Sequence, residues 1–404
     1  MAEETIAQTI ARMLTRFRSW LANRRSFLFS WYTKDRKETQ EPEKSLLQLP
    51  QAIKKKLGSA VENLPSNPAD QKAIAEALNK VYDRWRDEPD GADNSIVILS
   101  SPVTTVSRIL SETLQEWADE KQVPMKLLPL TARPHAIETT RSKLEHHLKQ
   151  KSVEDDSEET PLEVVVIPNL SWCFLRSLEG LEGIEYLQYL LCNGSKNRFW
   201  IIGAGQVGWQ YLNSVCSLEA YCGEVFSLPA IASEDLEQWL TPICQDLDIV
   251  FDKPRLDRQL LDGDKNNQTN YFASLASISK GVSTVAVQGF LKSIRYQKPE
   301  GDETEDQRKQ ESKLVAQIPK LPELPELEQV DRYLLYSLLL HGDLTISALA
   351  ESLGDEEAEV QARIEILRRK GVAEQKDRVV KINPIYYPKL KQELSSNNFI
   401  ITRE

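Results

Sequence analysis

The sequence predicts a three-layer α/β domain built on a parallel sheet, followed by a helical lid and a small module of helices and a β-hairpin. Three observations predict it. Between residues 91 and 232, short apolar runs alternate with segments of helical periodicity. A strand apolar on both faces is covered on both sides, and strand–helix–strand order makes the sheet parallel. From Ser233 to Ile294 the periodicity is helical throughout, broken at Asp262 to Asn270. Beyond a charged and Pro-rich stretch, a compact helix–turn–helix pattern begins near Leu327.

Taken in order, residues 1–37 form a basic, aromatic segment. Ile6, Ile10, Met13, Phe17 and Trp20 recur at helical spacing, with Arg12 and Arg16 on the opposite face and Trp31 in the aromatic run Phe27 to Tyr32. Such a stripe docks on a partner protein or lies in a membrane interface, rings at headgroup depth and cations on anionic lipid. Residues 38–90 read as a helical extension; its clearest piece is Gln71 to Arg86, stopped by Pro89-Asp90-Gly91. The α/β domain spans 91–232. Its expected strands are Ser95 to Leu99, Met125 to Leu130, Glu163 to Ile167, Arg198 to Ile202 and Val225 to Leu228. Its helices are Ser107 to Lys121, Gly180 to Leu191 and a third ending near Ser214. The acidic run Glu154 to Glu159 reads as a solvated loop. Residues 233–298 are the helical lid, 299–327 a linker, and 328–395 the C-terminal module.

Composition excludes several function classes. A chain of 404 residues can hold two or three cores. No run of eighteen apolar residues is present, and residues 1–33 lack the apolar core and cleavage site of a secretory signal. A cytoplasmic location is expected, with peripheral attachment to a membrane as the alternative. Five cysteines without a Cys-x-x-Cys pair read as reduced thiols, and four histidines offer no converging set for a metal. A net charge of −11 disfavours nucleic acid, whose phosphates demand a basic face. Protein partners are therefore expected before nucleic acid, and self-association stays open.

The first strand–helix turn is where an α/β domain of this kind grips a phosphate. That chemistry needs glycines so that backbone N–H groups can wrap the anion. It also needs a lysine on the β- and γ-phosphates and a hydroxyl on Mg²⁺. Here the turn reads Ser100-Ser101-Pro102-Val103-Thr104-Thr105-Val106-Ser107-Arg108. No glycine lies between Gly91 and Gly180. With Arg108 in the lysine position, Ile109 falls where the hydroxyl should be, and Pro102 removes an N–H. A second requirement is a carboxylate ending a neighbouring strand. Val164-Val165-Val166-Ile167 instead ends in Pro168-Asn169. Neither a catalytic residue nor a bound cofactor is expected, ATP included. A competing signal is Gly203-Ala204-Gly205-Gln206-Val207-Gly208, a G-x-G-x-x-G after a strand. It reads either as a dinucleotide site on Gly203, Gly205 and Gly208 or as a tight turn of small residues.

The order of these parts resembles the AAA-like and STAND group of P-loop NTPases that carry a C-terminal winged helix. The resemblance implies that Ile96 to Leu110 corresponds to the Walker A region and Val164 to Leu170 to Walker B. Arg198 to Gly203 would be the sensor-1 strand, Pro229 to Leu236 the lead-in to the lid, and Gly281 to Ala286 the start of the sensor-2 helix. The family's nucleotide-binding lysine and metal-binding acid have no counterpart here, so the resemblance implies a pseudo-ATPase.

The C-terminal module reads as helix (Val330 to Leu340), helix (Ile346 to Leu353, capped by Thr345), turn at Gly354, helix (Glu356 to Lys370) and wing (Val372 to Ile382). Its third helix begins Asp355-Glu356-Glu357-Ala358-Glu359, which would meet DNA phosphates with negative charge. The cations Arg363, Arg368, Arg369 and Lys370 come later. Contact with protein is expected of this module ahead of DNA. The leading expectation is a non-catalytic scaffold or regulatory protein. The alternatives are a nucleotide-binding NTPase or DNA-associated regulator and, more remotely, a dinucleotide enzyme.

Overall fold

The computed structural model describes residues 46–128, 132–134, 136–137, 139–148, 162–194, 196–252, 264–297 and 313–401. The basic segment 1–37, the acidic run and residues 299–312 lie outside them.

The α/β domain has the expected class. Five parallel strands, β2 (Ser95–Ser100), β3 (Met125–Leu127), β4 (Glu163–Ile167), β5 (Arg198–Gly205) and β6 (Glu224–Ser227), lie in the spatial order β3-β4-β5-β2-β6. Strand alternation sorts their apolar side chains to two faces. Ile96, Ile98, Val164, Val166, Phe199 and Ile201 face one helical layer, formed by α2 (Pro68–Asp87) and α3 (Val106–Lys121). Val97, Leu99, Val165, Ile167, Trp200 and Ile202 face the other, formed by α4 (Thr139–Leu148), α5 (Glu182–Asn193) and α6 (Gln206–Cys216). Both faces are dry, which is why the strands carry no polar alternation.

The extension does not stand apart. Residues Ile74, Leu78, Val81 and Trp85 of α2 are fully buried in the sheet core, so α2 is one of the sheet's own covering helices. By contrast β1 (Leu46–Leu47) and α1 (Gln51–Asn63) belong to the next unit.

That unit differs from the expected all-helical lid. Helices α7 (Ser233–Asp246), α8 (Asp264–Ser279) and α9 (Ser283–Ser293) pack with α1 over a second, four-stranded sheet. Its order is β1-β8-β9-β7, where β7 is Ile249–Phe251, β8 is Ile294–Gln297 and β9 is Lys313–Ala316. Part of the supposed linker is therefore a strand, pairing antiparallel with β8 and parallel with β7. Strands of three or four residues are too short to announce a period of two. The expected break at Asp262 to Asn270 is also displaced, since α8 runs from Asp264. Polar residues with poor helix propensity are held there because Tyr271, Phe272 and Leu275 one turn on are buried.

The C-terminal module consists of α10 (Gln329–His341), β10 (Leu344–Thr345), α11 (Ile346–Leu353), α12 (Glu357–Arg369), β11 (Ala373–Lys376), β12 (Val379–Ile382) and α13 (Tyr387–Ser396). The strands form an antiparallel sheet of order β10-β12-β11. Thr345 caps α11 by accepting from the Ala348 N–H at 3.2 Å. Gly354 ends that helix at φ +78°, where a side chain would be strained. The module shares its core with the α/β domain: Val207, Leu175 and Ile137 pack among Leu334, Leu335, Leu338 and Leu339.

Candidate functional site

A cleft of about 230 Å³ opens at the C-terminal edge of the parallel sheet, where β2 and β4 end. The turn between α1 and α2, the start of α9 and the end of α10 close its other sides. The sequence-predicted loop 100–108 lines it, so the expected place is the observed one.

What the loop does there follows from its hydrogen bonds. The buried Ser100 hydroxyl turns inward, donating to the carbonyls of Ser101 and Thr104 at 3.3 and 3.4 Å. Thr104 Oγ1 meets Thr284 Oγ1 of α9 at 3.0 Å. Thr105 sits at the N-cap of α3 with no capping bond from its side chain. Ser107 is fully buried and its hydroxyl has no partner.

Arg108 is committed elsewhere. Its Nε donates to Glu112 Oε1 at 2.9 Å, one helical turn along α3, and its Nη2 donates to the Leu64 carbonyl. Glu112 Oε2 in turn accepts from the Ser66 N–H at 2.6 Å and from Gln71 Nε2 at 3.0 Å. The pair thus clamps the α1–α2 turn onto α3, and the guanidinium is spent on a carboxylate and a carbonyl.

At the end of β4 the side chain of Asn169 is turned on its own backbone. Its Oδ1 accepts from the Ser171 N–H at 3.1 Å and the Ser171 hydroxyl at 2.7 Å, capping a short turn at Leu170–Trp172. The Pro168 carbonyl lies 2.5 Å from where a Cβ on Gly203 would stand.

The glycine motif is placed differently from a strand-to-helix loop. Gly203 and Gly205 are the last part of β5, paired with Ile98 and Ser100, and α6 begins at Gln206. A Cβ at Gly203 would also meet Leu110 Cδ1 at 2.6 Å, and one at Gly208 would meet the Leu340 carbonyl at 2.5 Å. These glycines admit close packing, Gly203 against the β4 turn and Gly208 against α10.

Several contacts weld α10 to the cleft. Arg133 donates to the carbonyls of Phe174, Asp343 and Ser171 at 3.1, 2.9 and 2.5 Å. Arg176 donates its N–H to His341 Nε2 at 3.3 Å and its Nη2 to the Ser352 carbonyl at 2.9 Å. Burial, with Arg133 and Arg176 beside it, pushes the imidazole of His341 well below its ordinary pKa, so it is neutral. Because Nε2 accepts, Nδ1 carries the hydrogen.

On the third helix of the C-terminal module, Arg363 pairs with the buried Asp331 at 2.5 Å and with Glu328 at 2.6 Å. Arg368 pairs with Glu365, and Lys370 donates to the Glu326 carbonyl at 3.2 Å. Of these four cations, Arg369 is the exposed one. Arg12, Arg16, Phe17, Trp20 and Trp31 lie outside the described residues. No cluster of metal-ligating side chains occurs among the described residues, and no described helix is long and apolar enough to cross a membrane.

Sequence reading missed Asp70, Glu112, Gln288 and His341, which reach the cleft from α2, α3, α9 and α10. Nothing local marks them; the fold brings them together. Four carboxylates (Glu62, Asp70, Glu112, Asp343) line the cleft against two cations, Arg108 and Lys381. Burial raises the Asp70 carboxyl to about 6, against hydrogen bonds from Asn67 and Ser283 that pull it down. An acid whose pKa rises on folding stabilises the fold below its unfolded value, and that stabilisation is lost as pH climbs toward 6. Asp70→Asn is therefore expected to exceed wild type in stability by about 3 kcal/mol at pH 7, with the difference vanishing near pH 4. Urea titrations across that range check the sign.

No family model and no curated protein sequence matches the chain. Among solved structures it is similar to the Thermotoga maritima RuvB Holliday junction branch migration motor. That match has 14% identity and a TM-score of 0.33, over 82% of this chain and 96% of that one. It is similar also to Cdc6p from Pyrobaculum aerophilum, with 10% identity and a TM-score of 0.36 over 87% of this chain and 99% of that one. The Aeropyrum pernix ORC2 protein, solved as ADPNP–ADP complexes, gives 12% and 0.38 over 82% and 95%. At these values the likenesses carry no statement about activity.

Proposed function

We propose that this chain is a non-catalytic scaffold or regulatory protein: an AAA/STAND-like pseudo-ATPase that acts through protein contacts, with its C-terminal winged helix held against the α/β domain. One observation carries the reading. The side chain standing where a nucleotide-binding lysine would be, Arg108, is neutralised by Glu112 and bound to the Leu64 carbonyl. Phosphoryl transfer is mostly positioning and charge stabilisation, and each missing electrostatic element typically costs orders of magnitude in rate. Here the cation is engaged, the strand-end acid is Asn169, and the loop carries Pro102 in place of glycine.

The same contacts support a structural use of the cleft. They tie the α1–α2 turn, the sheet edge and α10 into one body, as a docking platform requires. Arg363, Arg368 and Lys370 are spent within the module, which favours protein over DNA as its partner. In this reading residues 1–37 supply the docking segment, on a partner protein or on an anionic membrane surface. The test is phosphate release by the full chain with ATP and Mg²⁺. No release above the protein-free rate is expected; steady turnover abolished by Arg108→Ala would overturn the reading.

A further inference from the structure

Three buried side chains that line the cleft end in polar atoms without a hydrogen-bond partner: Ser107 Oγ, both amide atoms of Gln288, and His341 Nδ1. All three residues are at most 1% exposed. A buried polar group left unmade is costly, and most such groups in folded proteins are satisfied. Elsewhere each would be an isolated defect. Here they sit on three separate elements, α3, α9 and α10, around one cavity, and the recurrence calls for a common partner.

We infer that the cleft is a binding site for a small, uncharged, planar ligand bearing a hydrogen-bond donor beside an acceptor, as in a primary carboxamide or the edge of a nucleobase. Gln288 sets the requirement. Its Nε2 offers donors and its Oε1 an acceptor, and a partner satisfying both must present the complementary pair side by side. His341 Nδ1–H adds a donor and the Ser107 hydroxyl a group of either sense. Apolar walls from Val103, Trp172 and Val287 suit a flat ring or a short apolar stem. The volume of about 230 Å³ lies below the roughly 300–1000 Å³ of sites for drug-sized ligands. The carboxylate excess turns away phosphates.

The inference goes beyond the proposed function and fails separately from it. Saturation-transfer NMR and thermal melting of the full chain would use nicotinamide and benzamide as carboxamides, and adenine and uracil as nucleobases. ATP with Mg²⁺ is a separate arm. Saturable binding by one of the two ligand classes is expected, about tenfold weaker in Gln288→Leu. That variant should melt no lower than wild type when no probe is present, since it removes an unmatched buried amide. Ser107→Ala, a smaller change, guards against a misfolded Gln288 variant and should also weaken binding. Absence of saturable binding by all four probes would overturn the inference, as would undiminished binding in both variants. Binding of ATP with Mg²⁺ as tight as any neutral probe would overturn it together with the scaffold reading, whereas failure of the neutral probes alone leaves that reading standing.

Discussion

Trp85→Ala is expected to lower the free energy of unfolding by about 4 kcal/mol, among the largest losses available to a single substitution here. Trp85 is fully buried on α2, its ring 5.6 Å from Tyr82 and 5.2 Å from Phe199 between centroids. Its indole N–H donates to the Lys196 carbonyl at 2.9 Å. Truncation opens a cavity under the sheet and removes that hydrogen bond. The consequence reaches the cleft, because the same helix carries Asp70 and Gln71 at its start. Urea unfolding followed by circular dichroism gives the number. A loss below about 1 kcal/mol would mean that α2 is a detachable arm.

The second large effect is at Arg363. Arg363→Ala is expected to cost about 3 kcal/mol, because it strands Asp331, a carboxylate only 2% exposed. Asp331 also closes the capping box at the start of α10, accepting from the Glu328 N–H at 2.9 Å. In the double variant with Asp331→Asn, most of that loss should return, since the stranded charge is gone while an oxygen remains to accept at the cap. A DNA-reading role for Arg363 predicts the reverse pattern: little change in stability and a loss of duplex binding. Equilibrium unfolding of the single and double variants separates the two.

How far the fold was legible depended on the length of each signal. Runs such as Val164 to Ile167 announce buried parallel strands because both faces are apolar, and β4 falls where the pattern puts it. The short strands β7 and β9 were not legible. Ile249–Phe251 follows a helix without a change of composition, and Lys313–Ala316 emerges from a charged stretch. The glycine motif was legible as a string and ambiguous as a structure. Only the packing around Gly203 and Gly208 tells a close approach from a phosphate turn.

For the site, the loop 100–108 could be located and its chemical shortfall counted, because a phosphate grip depends on residue types at fixed spacing. What fills the place could not be read. Arg108 looked like a surviving cation, and only its partners, Glu112 one turn on and the Leu64 carbonyl 44 residues back, show it engaged. Gln288 and His341 carry no local signature at all; each reads as a polar residue at one edge of an apolar helix. Arg363 was grouped with Arg368 and Lys370 by sign of charge, whereas the deciding fact is a buried acid on another helix.

The most direct measurement is isothermal titration of the full chain with ATP in the presence of Mg²⁺ at neutral pH. The account predicts heats of dilution only, at any concentration up to millimolar. A saturating isotherm with one site per chain, abolished by Arg108→Ala, would show that the guanidinium leaves Glu112 for the phosphates, and the account would fall.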